Sequence, residues 1–417
     1  MFKKLTNINS NNLKHFLMFN LIIVAYYFAI LLNLNTGINF EIMFASSDSQ
    51  TYFEVAEWIT SEKDTIWTID RPFLFPLLIA VASKISLVNT LWFFQFIFWL
   101  VSVNTLYRIL LLITSNNKLI AYFGVIIFLS NISLIVLTLH ALTEISTVFL
   151  LSLLVLFITK NIKQRKQLSF IHTVILYLSI LVVIKPVFFI PLLIILGLLL
   201  LFYSKGYLKD PKKILTLVVI MIPVIIQLSI MKVKHDKLTI STISTQTLDK
   251  YIIAQGIQKL EGGTWVESQS KSLEMKKFEK IELVLANKML FFDSYLSNLN
   301  ENIKADAQFL RFPKELEHPF FLKFMRNINK GYYYLHFLFL LPMLILIFRF
   351  LRQKNYESLI LLLSLFGLYS YYILVTGISF MQGDRLVLPT IILWIPLYIF
   401  VAFNLINPNF KITTTIK

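Results

Sequence analysis

"DRPFLFPLLIAVASKI" (residues 70–85) decides the fold of this chain, because the sidedness of everything after it depends on whether it crosses a membrane. The stretch is apolar enough to do so, but Pro72 and Pro76 interrupt it and Lys84 lies within it. Around it, runs of spanning length, roughly 17 to 25 residues, occur near 15–34, 90–112, 119–139, 142–159, 168–184, 186–203, 212–231, 332–351, 356–376 and 386–406. That predicts about ten spans, with 72–88 as the open case. Short cytoplasmic loops collect Lys and Arg, so charge can decide it. With 72–88 left uncrossed, one side gathers Lys3, Lys4 and Lys14; Arg108 and Lys118; Lys160, Lys163, Arg165 and Lys166; Lys205, Lys209, Lys212 and Lys213; Arg349, Arg352 and Lys354; and Lys411 and Lys417. The acids among those short loops are Asp210 and Glu357. The other side receives loop 35–70, with Glu41, Asp48, Glu54, Glu57, Glu62, Asp64 and Asp70 against Lys63 alone. A crossing at 72–88 would reverse this bias. The segment is therefore expected to lie along or dip into the outer leaflet, with both termini cytoplasmic.

Composition points the same way. The 417 residues are 57% hydrophobic and 15% charged, with mean hydropathy +0.72, which is more apolar surface than one soluble core can bury. An all-α polytopic membrane protein is the class this implies. The net charge of +16 would fit nucleic acid, but most of the basic residues sit in short gaps between apolar runs, where membrane orientation explains them. No nucleic-acid partner is expected. The absence of cysteine excludes disulfides, thiolate metal sites and a cysteine nucleophile. Usage rich in Phe, Ile, Leu, Asn and Lys fits an AT-rich bacterial genome. The first run is too long and uniformly apolar for a signal-peptide core and is expected to stay attached, a cut near Ala45 being the alternative.

Three regions follow. Residues 1–231 form a transmembrane core whose first outer loop, 35–89, carries interfacial helices. Residues 232–330 form a hydrophilic extracytoplasmic segment, mostly helical by the periodicity of "KSLEMKKFEKIELVLANKMLFF" (271–292), with a turn at Gly262-Gly263. Residues 331–417 supply the last spans and a short cytoplasmic tail.

On this topology the unusual polar residues all fall at outer helix ends. They are Asp48 in "SSDSQTYFEVAEWI" (46–59), Asp70-Arg71, His140 and Glu144 in "LHALTEIS" (139–146), Lys185 in "VVIKPVFF" (182–189), and Gln382 to Arg385 in "MQGDRLVLP" (381–389). Ionisable groups at such depth are costly and mark functional sites. Each also has a plainer reading. Asp48 could be a helix N-cap, since Tyr52, Val55, Ala56 and Ile59 share one helical face behind it. His140 and Glu144 could be exposed in a short turn. Lys185 could snorkel to headgroups, and Arg385 could anchor a helix end, although an outer Arg goes against the charge bias. Tyr-rich "GYYYLHF" (331–337) reads as an aromatic belt rather than a sugar platform.

Two carboxylates with two or three cations suit transfer to a hydroxyl, where a base takes the acceptor proton and cations hold a departing phosphate. Asp48 would be the base, and Arg385, Lys185 and Arg71 the phosphate-binding groups. Glu144 could be a second carboxylate or a ligand, through oxygen, of a divalent metal such as Mg2+ or Mn2+. Tyr52, His140 and Asp384 are candidate donor or acceptor contacts. No phosphate-cradling Gly-rich loop, Asp-x-Asp cluster or nucleotide-sugar domain is present, so the donor is expected to be a lipid.

These residues resemble the GT-C superfamily of polytopic glycosyltransferases, which includes the protein O-mannosyltransferases and the lipid A aminoarabinose transferase. The matching features are "DSQTYFEVA" in the first outer loop, "RPFLFPLLIA", "LTEIS" before the fourth span, "KP" at an outer end, and a late "GDRLVLP". They cover most of the first 190 residues and one C-terminal patch. The resemblance implies transfer of a sugar from a polyprenyl-phosphate carrier to a glycan, lipid or protein acceptor on the outer side, usually with inversion, using the first-loop acid, here Asp48. The chain departs from several members in having one acid where they have Asp-Glu, and Arg-Pro where they have Pro-Pro or Lys-Pro. Competing expectations are a surface-polysaccharide polymerase or ligase, for which residues 232–330 offer Arg311 and Arg326; a flippase or transporter, which should show repeated halves and broken helices; and a binding or scaffold protein.

Overall fold

In lipid a backbone must satisfy its own polar groups, and long apolar runs do so as helices. The computed structural model describes residues 10–33, 46–61, 63–207, 209–304, 324, 327–328, 331–332, 334–336, 338–379, 383–408 and 412, and contains no strand among them. Helices α1 (Ser10–Asn33), α2 (Ser47–Ser61), α3 (Leu74–Ser83), α4 (Leu87–Ile113), α5 (Lys118–Leu129), α6 (Ile132–Leu137), α7 (Glu144–Asn161), α8 (Leu168–Val182), α9 (Phe189–Tyr207), α10 (Pro211–Ile220) and α11 (Ile222–His235) form the first part of the bundle. After the hydrophilic helices come α17 (Leu340–Arg352), α18 (Tyr356–Thr376) and α19 (Ile391–Ile406).

Among the described residues, seven helices are long and apolar enough to cross a membrane, and an eighth span results if α10 and α11 count as one, bent by 63°. Fewer than the expected ten pass this test of length and composition, for a physical reason. The 119–139 run breaks at Ser130-Asn131 into α5 and α6, and α8 stops at Val182 short of Lys185-Pro186, so each piece is too short to span as one straight helix. The ten residues of α3 reach only about 15 Å, half the hydrocarbon thickness. Rather than offering its apolar face to lipid alone, α3 packs between α2 and α4, burying Phe75, Pro76, Ile79, Ala80 and Ala82. Tyr52, Val55 and Ala56 of α2 are buried, and Tyr52 meets Phe75 edge-on at 5.2 Å.

At the centre, α4 and α7 pack along most of their length and α19 lies against α4, α5 and α7. Helices α1, α9 and α17 keep most of their apolar surface exposed, as lipid-facing helices do. Polar pairs lock the core helices: Asn20 and Asn104 join α1 to α4 at 2.7 Å, and Tyr27 Oη meets Thr138 Oγ1 at 2.5 Å.

The two ends of the bundle differ in charge. At one end lie Lys160, Lys163, Lys166, Arg352 and Lys354, with Arg165 paired to Glu357 at 3.5 Å and Arg349 donating to the Asn404 carbonyl at 3.1 Å. At the other end lie the start of α7, the turn before α9, the end of α18, the turn before α19 and the first hydrophilic loop.

Gly124 of α5 sits where helices cross: a Cβ there would lie 2.4 Å from Leu110 Cδ1 and 2.7 Å from Ile399 Cδ1. Gly124→Val is expected to lose about 1–3 kcal/mol through overpacking, read as a lower unfolding temperature in detergent than for the same change at Gly197, which has no neighbour within 4 Å.

Candidate active site

Five ionisable side chains from five separate stretches meet at the second end. Arg385 donates through Nη1 to Asp48 Oδ2 at 2.6 Å and through Nε to Glu144 Oε1 at 2.9 Å. Arg71 Nη2 donates to Asp48 Oδ1 at 2.5 Å, and Lys185 Nζ to Glu144 Oε1 at 3.3 Å. The result is a chain of alternating charge: Arg71, Asp48, Arg385, Glu144, Lys185.

Local structure explains each position. Thr65 caps a 3₁₀ turn over Ile66–Ile69. Asp70 closes that turn, and its buried carboxylate accepts from Thr242 Oγ1 at 2.5 Å while its carbonyl accepts from Ser241 Oγ at 2.7 Å. Asp70 thus positions Arg71 and takes no part in the ionic chain. Glu144 occupies the first turn of α7, where the helix dipole favours a negative charge. Pro186 follows Lys185, which is extended between α8 and the turn leading to α9. Arg385 is held in a 3₁₀ turn over Gly383–Leu386.

The plainer reading of Asp48 as an N-cap does not describe its carboxylate, which is held by two guanidiniums; the Asp48 amide donates instead to Ser46 Oγ at 3.2 Å. Burial would raise the Asp48 pKa, but Arg385 and Arg71 outweigh it and hold the carboxyl down at about 2. Burial also opposes the charge on Arg385, yet Glu144 and Asp48 leave its pKa raised. Both groups are therefore ionised at any physiological pH. Tyr52 lies beneath Arg71, its ring centroid 4.8 Å from Cζ. His140 is buried beside the network and pushed down to about 4 by desolvation and then by Arg385, so it is neutral. Side-chain placement for Asp384, and residues Gln382, Arg311 and Arg326 altogether, lie outside the described residues.

Two participants carried no sequence signal strong enough to find them. Thr51 Oγ1 accepts from Arg71 Nε at 2.8 Å; its spacing three residues after Asp48 was the available clue. The Tyr372 ring lies 5.8 Å from Lys185 Nζ and is buried in the middle of an unremarkable apolar run. The Tyr-rich stretch also turns inward in part: Tyr332 Oη meets Ser130 Oγ at 2.5 Å, and His336 Nδ1 meets the Tyr369 and Tyr398 hydroxyls at 2.6 and 2.8 Å.

Glu144 is 1% exposed, Arg385 9% and Asp48 31%, so the network opens toward solvent on the Asp48 side. Three cations against two carboxylates leave excess positive charge, an arrangement suited to an anion such as phosphate. It does not suit a divalent cation. A guanidinium already bridges the carboxylates, and no group of three His, Asp or Glu side chains with ligand geometry occurs among the described residues. No known protein family, curated protein or solved structure matches this chain. The fold and site define a multi-helix protein of membrane-spanning character with a partly buried ionic network at one end of its bundle.

Removing Arg385 leaves Glu144 buried with Lys185 alone, so Arg385→Ala is expected to cost about 3–5 kcal/mol. Arg71→Ala should cost less, because Asp48 keeps Arg385 and is a third exposed. Thermal unfolding of the two variants in detergent checks the order.

Proposed function

We propose that this protein is a membrane-embedded glycosyltransferase of GT-C type, moving a sugar from a polyprenyl-phosphate-linked donor to an acceptor hydroxyl in cell-envelope glycan synthesis. The observation that carries this reading is the network itself: Asp48, reachable from solvent, stands between Arg71 and Arg385, with Glu144 and Lys185 behind. In the reaction the acceptor oxygen bonds to the sugar's anomeric carbon and its proton passes to Asp48. The bond from that carbon to the phosphate oxygen breaks, and its electrons leave on the phosphate, where Arg71, Arg385 and Lys185 stabilise the charge. A carboxylate clamped by two guanidiniums is a weak base. Donor phosphate would compete for those guanidiniums, and loosening either one strengthens Asp48 as a proton acceptor.

Further support comes from the surroundings. A cleft of about 600 Å³ lies against Trp58, Ile59, Leu77 and Ile230, the Asp64–Lys234 ion pair, and Phe73, which is two residues along the chain from Arg71. Its lining is of the kind a prenyl chain takes. The basic end of the bundle lies opposite the network, and the positive-inside rule then supports an extracytoplasmic network with the hydrophilic segment beside it as acceptor-recognising surface. The bend between α10 and α11 favours the transporter alternative, but the helices meet at Met221-Ile222-Pro223, with no charged residue to bind an ion or substrate.

Asp48→Asn at matched protein level is expected to lower transfer of labelled sugar in membranes by about 10²–10⁴-fold; an unchanged envelope glycan would sink the proposal. The sidedness is checked separately in intact cells. An impermeant thiol reagent should label Ser61→Cys and leave Lys163→Cys unlabelled, the native chain having no cysteine.

A further inference from the structure

The helices between α11 and α17 bury a small apolar core of Ile252, Ile253, Ile257 and Phe291, yet three of them also expose apolar side chains. The helices of this segment are α12 (Ile243–Thr247), α13 (Ala254–Glu261), α14 (Trp265–Glu274), α15 (Lys277–Ala286) and α16 (Lys288–Lys304). In water a helix buries its apolar face and exposes its polar one. Here α16 buries Ser294, Asn298 and Asn302 beside Phe291, while Met289, Phe292 and Leu296 are 65%, 54% and 42% exposed. On α15, Phe278, Ile281 and Leu285 are 62%, 51% and 67% exposed. On α14, Ser268 and Ser272 are buried while Val266 and Leu273 face out. In α15 and α16 the exposed residues recur at i, i+3 and i+7, the spacing of one helix face.

The buried polar groups are satisfied within the protein. Lys259 Nζ donates to Ser294 Oγ at 2.8 Å, Ser272 Oγ donates to the Asp249 carbonyl at 2.7 Å, and Asn298 Nδ2 donates to Gln255 Oε1 at 3.1 Å. These buried polar side chains are therefore held within the protein and need no water. The position of α16 says what covers the apolar side. Asn302 Nδ2 donates to the Thr376 and Ser379 carbonyls at 2.9 Å, and Tyr295 Oη donates to the Leu374 carbonyl at 2.6 Å. Those acceptors lie at and just beyond the end of the spanning helix α18, whose Leu374 and Leu363 are 52% and 45% exposed. The α16 helix is thus pinned at the level where a span leaves the hydrocarbon. Exposed Lys276, Lys277 and Lys288, with exposed Glu282 and Asp293, give the stripe a charged border of the kind amphipathic in-plane helices set among headgroups.

From this we infer that the exposed face of α15 and α16 is a bilayer-docking surface, which lies in the boundary between headgroups and acyl chains. The inference is independent of the transferase reading, because it concerns only where these helices rest.

The test uses the full chain in vesicles of phosphatidylethanolamine and phosphatidylglycerol. Nitroxide labels are placed singly at Phe278→Cys, Leu285→Cys and Phe292→Cys, with Glu261→Cys as a water-exposed control. Electron paramagnetic resonance with oxygen and a water-soluble nickel chelate reads the surroundings. The expected result is a shift at the three stripe positions toward high oxygen and low nickel accessibility, with the reverse at 261. Stripe labels that collide freely with nickel overturn the proposal. So do stripe labels shielded from both reagents, which would put a second copy or another protein on this face. A variant that fails to insert is replaced by Ile281→Cys, Met289→Cys or Leu296→Cys on the same stripe.

Discussion

The guanidinium of Arg385, holding Asp48 on one side and Glu144 on the other, is the contact on which the arrangement of this bundle's polar end depends. A buried carboxylate such as Glu144 is tolerated only with partners at hydrogen-bond distance, and Arg385 and Lys185 supply them. Because Arg385 precedes α19, Glu144 opens α7, Lys185 precedes α9 and Asp48 opens α2, satisfying these charges also fixes how four helix ends meet. Apolar packing among α4, α7 and α19 has no comparable directionality; it brings helices together without specifying which residues face one another at their ends.

That constraint explains the division of labour among neighbouring acids. Asp70 and Asp48 both lie in the first hydrophilic loop, yet Asp70 is spent on hydrogen bonds to Thr242 and Ser241 and carries no guanidinium. It ties the loop to the chain leaving α11 and so aims Arg71. The chemistry proposed here needs the charges to be both held and exchangeable. Arg71 is held by Asp48, by Thr51 and by the face of Tyr52, and the last two contacts survive if a phosphate displaces the carboxylate.

The hydrophilic helices obey a different rule from that of a soluble domain. Beside a small apolar core around Ile257 and Phe291, hydrogen-bonding side chains of α14 and α16 point inward, to one another and to the end of α18, and an apolar stripe on α15 and α16 points out. Composition averages over the two faces and cannot reveal this. An inverted helix and an ordinary one share the same period, and only the position of neighbouring elements says which face is covered.

Much was legible in the chain itself. Uninterrupted apolar runs dictate helices in lipid, and the ends of most spans follow from where polar residues and prolines fall. Asp48, Arg71, Glu144, Lys185 and Arg385 stood out because ionisable side chains next to such runs are costly to keep. The breaks at Ser130-Asn131 and Val182 were not legible, since hydropathy averaged over a window passes smoothly across them. Pairing was hidden too. Nothing local distinguishes Asp48, clamped by two arginines, from Asp70, capped by hydroxyls, and Tyr372 is one aromatic among many. By itself the sequence determined the helical class and which charges needed partners, because burial of apolar area and the cost of isolated charge depend on residue type. Only the tertiary structure decided which partners they took, because hydrogen bonds act over about 3 Å and join residues as far apart as 48 and 385.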